Sequence, residues 1–186
     1  LTDHCAAVAV PGNHDKYTFR SHRTARMANA LNGVMPERFP HVQELRGRWS
    51  LLALDAAVPR AWGARGSMGE EQLREAEQYL ASLEPDRGVI VLCHYPAMTP
   101  PPPQGPPVTW GHGLENQGRL LTALRHCPAR VVMLHGHIHK PWAYVPTDEA
   151  HKHLSFINAG APCMVSGKYP LGQGFWTIDL QSDSCT

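Results

Sequence analysis

Three times in this sequence a short aliphatic run passes straight into a loop that carries histidine. Residues 6–10 lead into PGNHD (11–15), residues 89–92 into CHYP (93–96), and residues 131–134 into HGHIH (135–139). Continuous apolar runs of this length, bounded by turn formers, read as strands buried on both faces. Such strands belong to parallel sheets covered by helices, and in those sheets the loops after the strands' carboxyl ends gather on one rim. The pattern therefore dictates a layered α/β domain with its chemistry at that rim. Residues 49–54 make a fourth buried run, while LSFINAG (154–160) and GFWTIDL (174–180) partly alternate, as antiparallel strands with one covered face do.

Helical stretches separate the runs. In SMGEEQLREAEQYLASLEP, Ser67 is placed to cap, Glu70 and Glu71 sit in the first turn, and Leu73, Ala76, Leu80 and Leu83 recur at three to four residues before Pro85 stops the helix. LENQGRLLTALRHCP reads as a second helix ended by Pro128. The segment TPPPPQGPPVTWGHG (99–113) holds six prolines, so it is neither helix nor central strand but a stiff loop carrying Trp110 and His112.

With 186 residues, 42% of them hydrophobic, the chain is large enough for a single globular domain with its own core. Seventeen basic against 16 acidic residues offer no general attraction to nucleic acid or to an anionic membrane, so a polyanionic ligand has to be held locally. No stretch approaches the roughly 20 apolar residues of a membrane span and no basic-then-apolar leader opens the sequence, which points to a cytoplasmic protein. The five cysteines (Cys5, Cys93, Cys127, Cys163, Cys185) are odd in number and include no C-x-x-C pair, indicating neither a disulfide framework nor a zinc ribbon.

Histidine is the abundant type, at 12 residues. Imidazoles joined by a side-chain amide oxygen suit first-row metals such as zinc, manganese, iron or nickel better than magnesium or calcium alone. Each motif alone also fits a turn with a satisfied histidine; their co-occurrence is the signal. Gly-Asn-His-Asp, then His-x-Pro, then Gly-His-x-His, in that order and each after a strand, resemble the second half of the calcineurin-like metallophosphoesterase signature, over a reach of residues 6–180. The helix EEQLREAEQYL and the NAG at 158–160 resemble that family too. The resemblance implies an α/β sandwich of two mixed sheets flanked by helices and a dinuclear centre of divalent cations (Mn, Fe, Zn or Ni). It implies Asn13, His94 and His137 as ligands of one metal, His139 as a ligand of the other, and His14 as the protonated imidazole beside the leaving group. Asp15 and His135 are placed as groups that orient ligands, His135 equally as a residue of the pocket wall.

The same family opens its signature with Asp-x-His and Gly-Asp motifs, and neither occurs in the 11 residues before Gly12. LTD (1–3) resembles the residues after the bridging aspartate in relatives, so these 186 residues are expected to be the N-terminally incomplete part of a longer protein, with Asp3 and His4 as poor substitutes for the missing ligands. The implied function is hydrolysis of a phosphomonoester or phosphodiester, from a small molecule or a nucleotide, by metal-activated water. The alternatives are a non-catalytic metal-binding or scaffold protein of the same fold, and a mononuclear site of structural use. For substrate, His112 in WGHGLEN and Arg65 in RAWGARGSMG are the candidates, with Trp62 and the KPWAY edge (140–144) beside them. The lack of a long basic patch argues against a nuclease on duplex DNA.

Overall fold

The computed structural model describes residues 6–16, 20, 26–101, 111–161 and 174–180. Its centre is a six-stranded mixed sheet: β1 (His41–Glu44), β2 (Trp49–Leu54), β3 (Gly88–Cys93), β4 (Arg130–His135), β5 (Trp142–Tyr144) and β6 (Leu154–Asn158), in spatial order β1-β2-β3-β4-β6-β5. The four inner strands are mutually parallel, and β1 and β5 close the two edges antiparallel. Two of the three parallel pairs, β2–β3 and β3–β4, are joined by helical crossovers, while the chain passes from β4 to β6 through β5. After a short helix α1 (Arg26–Ala30), α2 (Glu70–Ala81) links β2 to β3 and α3 (Gln117–His126) links β3 to β4.

Period sets which face each residue serves. Leu73, Ala76 and Leu80 of α2 and Leu120 and Leu124 of α3 share one buried cluster with Leu52, Leu54, Val89, Val91, Val131, Met133, Leu154 and Phe156 of the sheet. Each such leucine, valine, methionine or phenylalanine contributes about 1.5–3 kcal/mol when fully buried, so this face holds the fold together. The residues between them, Leu92, Val132, Leu134 and Ile157, face the other way and are half-buried. That second face is where a sandwich would set its other sheet; the described residues form one sheet.

Several local expectations change. Residues 6–10 form no strand: Ala9 N–H donates to Val34 O at 3.0 Å instead of joining the ladder. Residues 174–180 form none either and are largely exposed, with Trp176 Nε1 donating to the Asn158 carbonyl at 3.0 Å. A strand needs a paired neighbour, which an apolar run does not supply by itself. The last three residues of KPWAY form β5, with Trp142 buried. Helix α2 begins after Gly69, not Ser67, whose backbone N–H goes to Ala56 O. Asn116, at the N-cap of α3, spends its amide on Met68, accepting from its N–H at 3.2 Å and donating to its carbonyl at 2.8 Å. Asp3, His4 and Trp110, with Cys5, Cys163 and Cys185, lie outside the described residues.

Among the described residues no helix is long and apolar enough to cross a membrane.

Candidate functional site

Strands β3 and β4 are neighbours and parallel, so their carboxyl ends open side by side. The chain leaves β3 as Cys93-His94 and leaves β4 as His135-Gly136-His137, and Gly136 N–H donates to the His94 carbonyl at 3.1 Å. Beside them the turn Asn13–Asp15 follows Gly12, with Asp15 Oδ2 accepting the Gly12 N–H at 2.9 Å. Glycine is required there: a Cβ at Gly12 would meet the His94 ring at 2.9–3.2 Å. Lys16, closing the turn, pairs with Asp55 at the end of β2. Asp55 is held in turn by Gln72 of α2, which accepts its N–H and donates to its carbonyl, each at 2.8 Å.

These loops bring three donor atoms together. Asn13 Oδ1 lies 2.8 Å from His94 Nε2 and 3.3 Å from His137 Nδ1, and the two imidazole nitrogens are 3.3 Å apart. Asn13 is 5% exposed, and Tyr95, fully buried, floors the group with its ring 4.5 Å from that of His137. His137 adopts φ +65°, a left-handed conformation costing a non-glycine residue about 1–3 kcal/mol and typical of functional sites.

Proton counting shows what the group lacks. A carbonyl only accepts, so His137 Nε2 is the donor in its 2.7 Å bond to the His112 carbonyl. Burial, with charge from neighbouring histidines, lowers the His137 pKa to about 4 and that of His94 to about 3. Both rings are therefore neutral at pH 7, and His137 Nδ1 is a bare lone pair turned towards the Asn13 amide oxygen. His94 Nε2 lies within hydrogen-bond distance of both. Ligand atoms about 2.0–2.1 Å from a first-row cation stand roughly 3.0–3.4 Å from one another, close to the 2.8–3.3 Å spacings here. The donor set thus fits one divalent cation. Among the described residues no group of three or more His, Cys, Asp or Glu is arranged to hold a metal; this triad has two imidazoles and an amide.

The remaining candidates take distinct places. His14 and His139 are exposed at the rim, near enough to lower the His94 and His137 pKa values electrostatically. His135 is 3% exposed, packed against Trp142 with ring centroids 4.8 Å apart, and its Nδ1–H donates to the Gly136 carbonyl at 3.1 Å. Burial lowers its pKa to about 4. Thus it touches the backbone of the His137 loop, and Asp15 that of its own turn. His112 is exposed, its ring centroid 6.0 Å from that of His137. Arg65 Nη2 pairs with Glu115 Oε1 at 3.1 Å, sharing that carboxylate with Arg60. Trp62 is 93% exposed. Sequence reasoning missed Arg60, Glu115, Asp55 and Gln72; only Asp55, closing an apolar run, carried a local signal.

No protein-family model matches the chain, and no curated protein does. A solved structure of PhoD is similar to it, with a TM-score of 0.50 at 14% identity over 80% of this chain and 37% of the other. The fold is a mixed α/β fold similar to that of PhoD. At that identity the likeness is one of fold, and this chain spans little more than a third of the PhoD length.

Proposed function

We propose that this chain carries the catalytic rim of a metal-dependent phosphoesterase, acting on a phosphomonoester or phosphodiester. The observation that supports this most is the convergence of Asn13 Oδ1, His94 Nε2 and His137 Nδ1 within 3.3 Å at the carboxyl ends of adjacent parallel strands. A likeness of fold to PhoD points the same way.

In this reading Asn13, His94 and His137 hold one divalent cation (Mn, Fe, Zn or Ni), and His139 contributes to a second. Bound there, the cations would supply charge neutralisation at the phosphoryl group and acidify a water. The chain's own residues do the rest. The neutral Asn13 amide keeps the site's net charge positive for an anionic ester. His14, exposed beside the triad, protonates the departing oxygen, a contribution of about 10²–10⁴ in rate. Asp15 holds the turn that carries both. The exposed His112 imidazole lines the approach, and Arg65 reaches the ester anion by sharing itself between substrate and Glu115.

A second reading, a mononuclear metal-binding protein of the same fold without catalysis, is favoured by the single donor triad among the described residues. Hydrolysis of p-nitrophenyl phosphate and bis-p-nitrophenyl phosphate, with and without manganese, separates the two. The enzyme reading expects manganese-dependent turnover that His14→Ala lowers about 10²–10⁴-fold and His137→Ala abolishes. Metal binding lost in His137→Ala, with no turnover in the parent, would leave the second reading; turnover indifferent to His137 would sink both.

A further inference from the structure

Two loops far apart in sequence, 60–68 and 111–116, are laced into a ribbon beside His137. Ala64 N–H donates to Gly111 O at 2.8 Å, Gly66 N–H to Gly113 O at 3.1 Å, and Glu115 N–H to Gly66 O at 2.9 Å, with Gly66 and Leu114 paired as a parallel bridge. The Asn116 amide extends the lacing onto Met68. Gly111 O and Gly113 O face the partner loop, while the His112 carbonyl between them accepts the His137 Nε2–H at 2.7 Å.

The ribbon is pressed onto the floor of the site: a Cβ at Gly66 would come within 2.4 Å of the Tyr95 ring and 2.7 Å of the Ala56 carbonyl. Its two loops are also clasped by charge. Arg60 Nη2 reaches Glu115 Oε2 at 2.6 Å and Arg65 Nη2 reaches Oε1 at 3.1 Å, so one carboxylate of the 111–116 loop grips two guanidinium groups of the other. Burial would raise the Glu115 carboxyl, but the hydrogen bonds and charge of Arg60, the Ser67 hydroxyl and the charge of Arg65 hold it below the usual carboxylate range.

We propose that Glu115 is a positioning residue for the metal centre: by clasping the two loops it holds the His112 carbonyl on His137 Nε2 and so keeps the proton off Nδ1, the atom facing Asn13 and His94. This rests on the reading of those atoms as cation ligands. A carbonyl that fixes the tautomer of a ligating imidazole is a recurrent outer partner of metal sites, and losing such a partner lowers metal affinity about 10–100-fold.

Imidazole proton–nitrogen correlation NMR on the metal-free full chain reads the His137 tautomer directly, and a chelator-competition titration gives zinc affinity. The parent is expected as a single Nε2–H species. Glu115→Ala is expected to show mixed His137 tautomers and a zinc affinity about 10–100-fold weaker. Arg119→Ala, which removes the Glu70 and Glu77 pairs tying α2 to α3 away from the ribbon, is expected to match the parent in both readouts. A Glu115→Ala protein with the parent's tautomer and affinity overturns the proposal, as does an equal loss in Arg119→Ala. If Glu115→Ala does not fold, Glu115→Gln keeps the length and loses the charge; mixed tautomers with weaker zinc binding support the proposal there, and parent values overturn it. A parent that binds no zinc refutes the metal reading, while the tautomer comparison still decides whether Glu115 sets the state of His137.

Discussion

His94, His135 and His137 are three imidazoles that burial keeps neutral, with pKa values lowered to about 3, 4 and 4 from an ordinary 6.5. In the unfolded chain each takes up a proton near pH 6.5, whereas the folded protein resists until about pH 4 or below. Unfolding therefore absorbs protons between those limits, so the stability from these groups is fully present above pH 6.5 and falls as the pH drops towards 4. Urea unfolding at pH 7 and pH 5 should give the lower midpoint at pH 5; equal midpoints would mean that the imidazoles are solvated. Zinc affinity of the folded protein should instead hold until the pH nears 4, where protons begin to compete for the ligand nitrogens. The residue beside them is as demanding. Gly12→Ala drives a Cβ into the His94 ring at 2.9–3.2 Å; overpacking of this kind costs about 1–3 kcal/mol. The melting temperature and the zinc affinity should both fall, and a variant with unchanged affinity would show that His94 yields without leaving the triad.

At the scale of elements, the two ends of β3 serve different purposes. Its carboxyl end delivers His94, while its amino end, Gly88, lies under Trp49, where a Cβ would sit 2.5 Å from the indole. Gly88→Ala should destabilise by about 1–3 kcal/mol in thermal unfolding and leave zinc affinity at the parent value; a parallel loss of affinity would mean that strain travels the length of the strand. Helix α2 was legible because its apolar stripe is periodic, and Leu73, Ala76 and Leu80 all reach the core. Truncating Leu73 to Ala should cost about 2–5 kcal/mol, read from the unfolding midpoint. Edge strands β1 and β5 left no comparable trace: each is short, half-buried and made by its neighbour's free edge. Residues 6–10 show the converse, an apolar run without a described strand beside it to pair with.

Across the whole molecule, the candidate site lies at the strands' carboxyl ends and the helix-packed core on one face of the sheet. A cation that binds only the folded protein should stabilise all of it, by about 2.7 kcal/mol at a hundredfold excess over its Kd. Zinc-dependent upward shifts in melting temperature, absent in His137→Ala, would bear this out; an equal shift in that variant would place the ion elsewhere. The inner runs at 49–54, 89–92 and 131–134, the helices between them, and the delivery of histidine after the last two were determined by the sequence, because burial and periodicity are written in runs of neighbouring residues. Which atoms meet was decided only by tertiary structure. The bonds of the site join residues 25, 81 and 124 positions apart, and no local pattern specifies such partners. Hence the pairing of Arg65 with Glu115, and the engagement of His137 by the His112 backbone carbonyl, had no local signal. Those outcomes depend on which loops the sheet brings side by side, a property of the folded chain and not of any stretch within it.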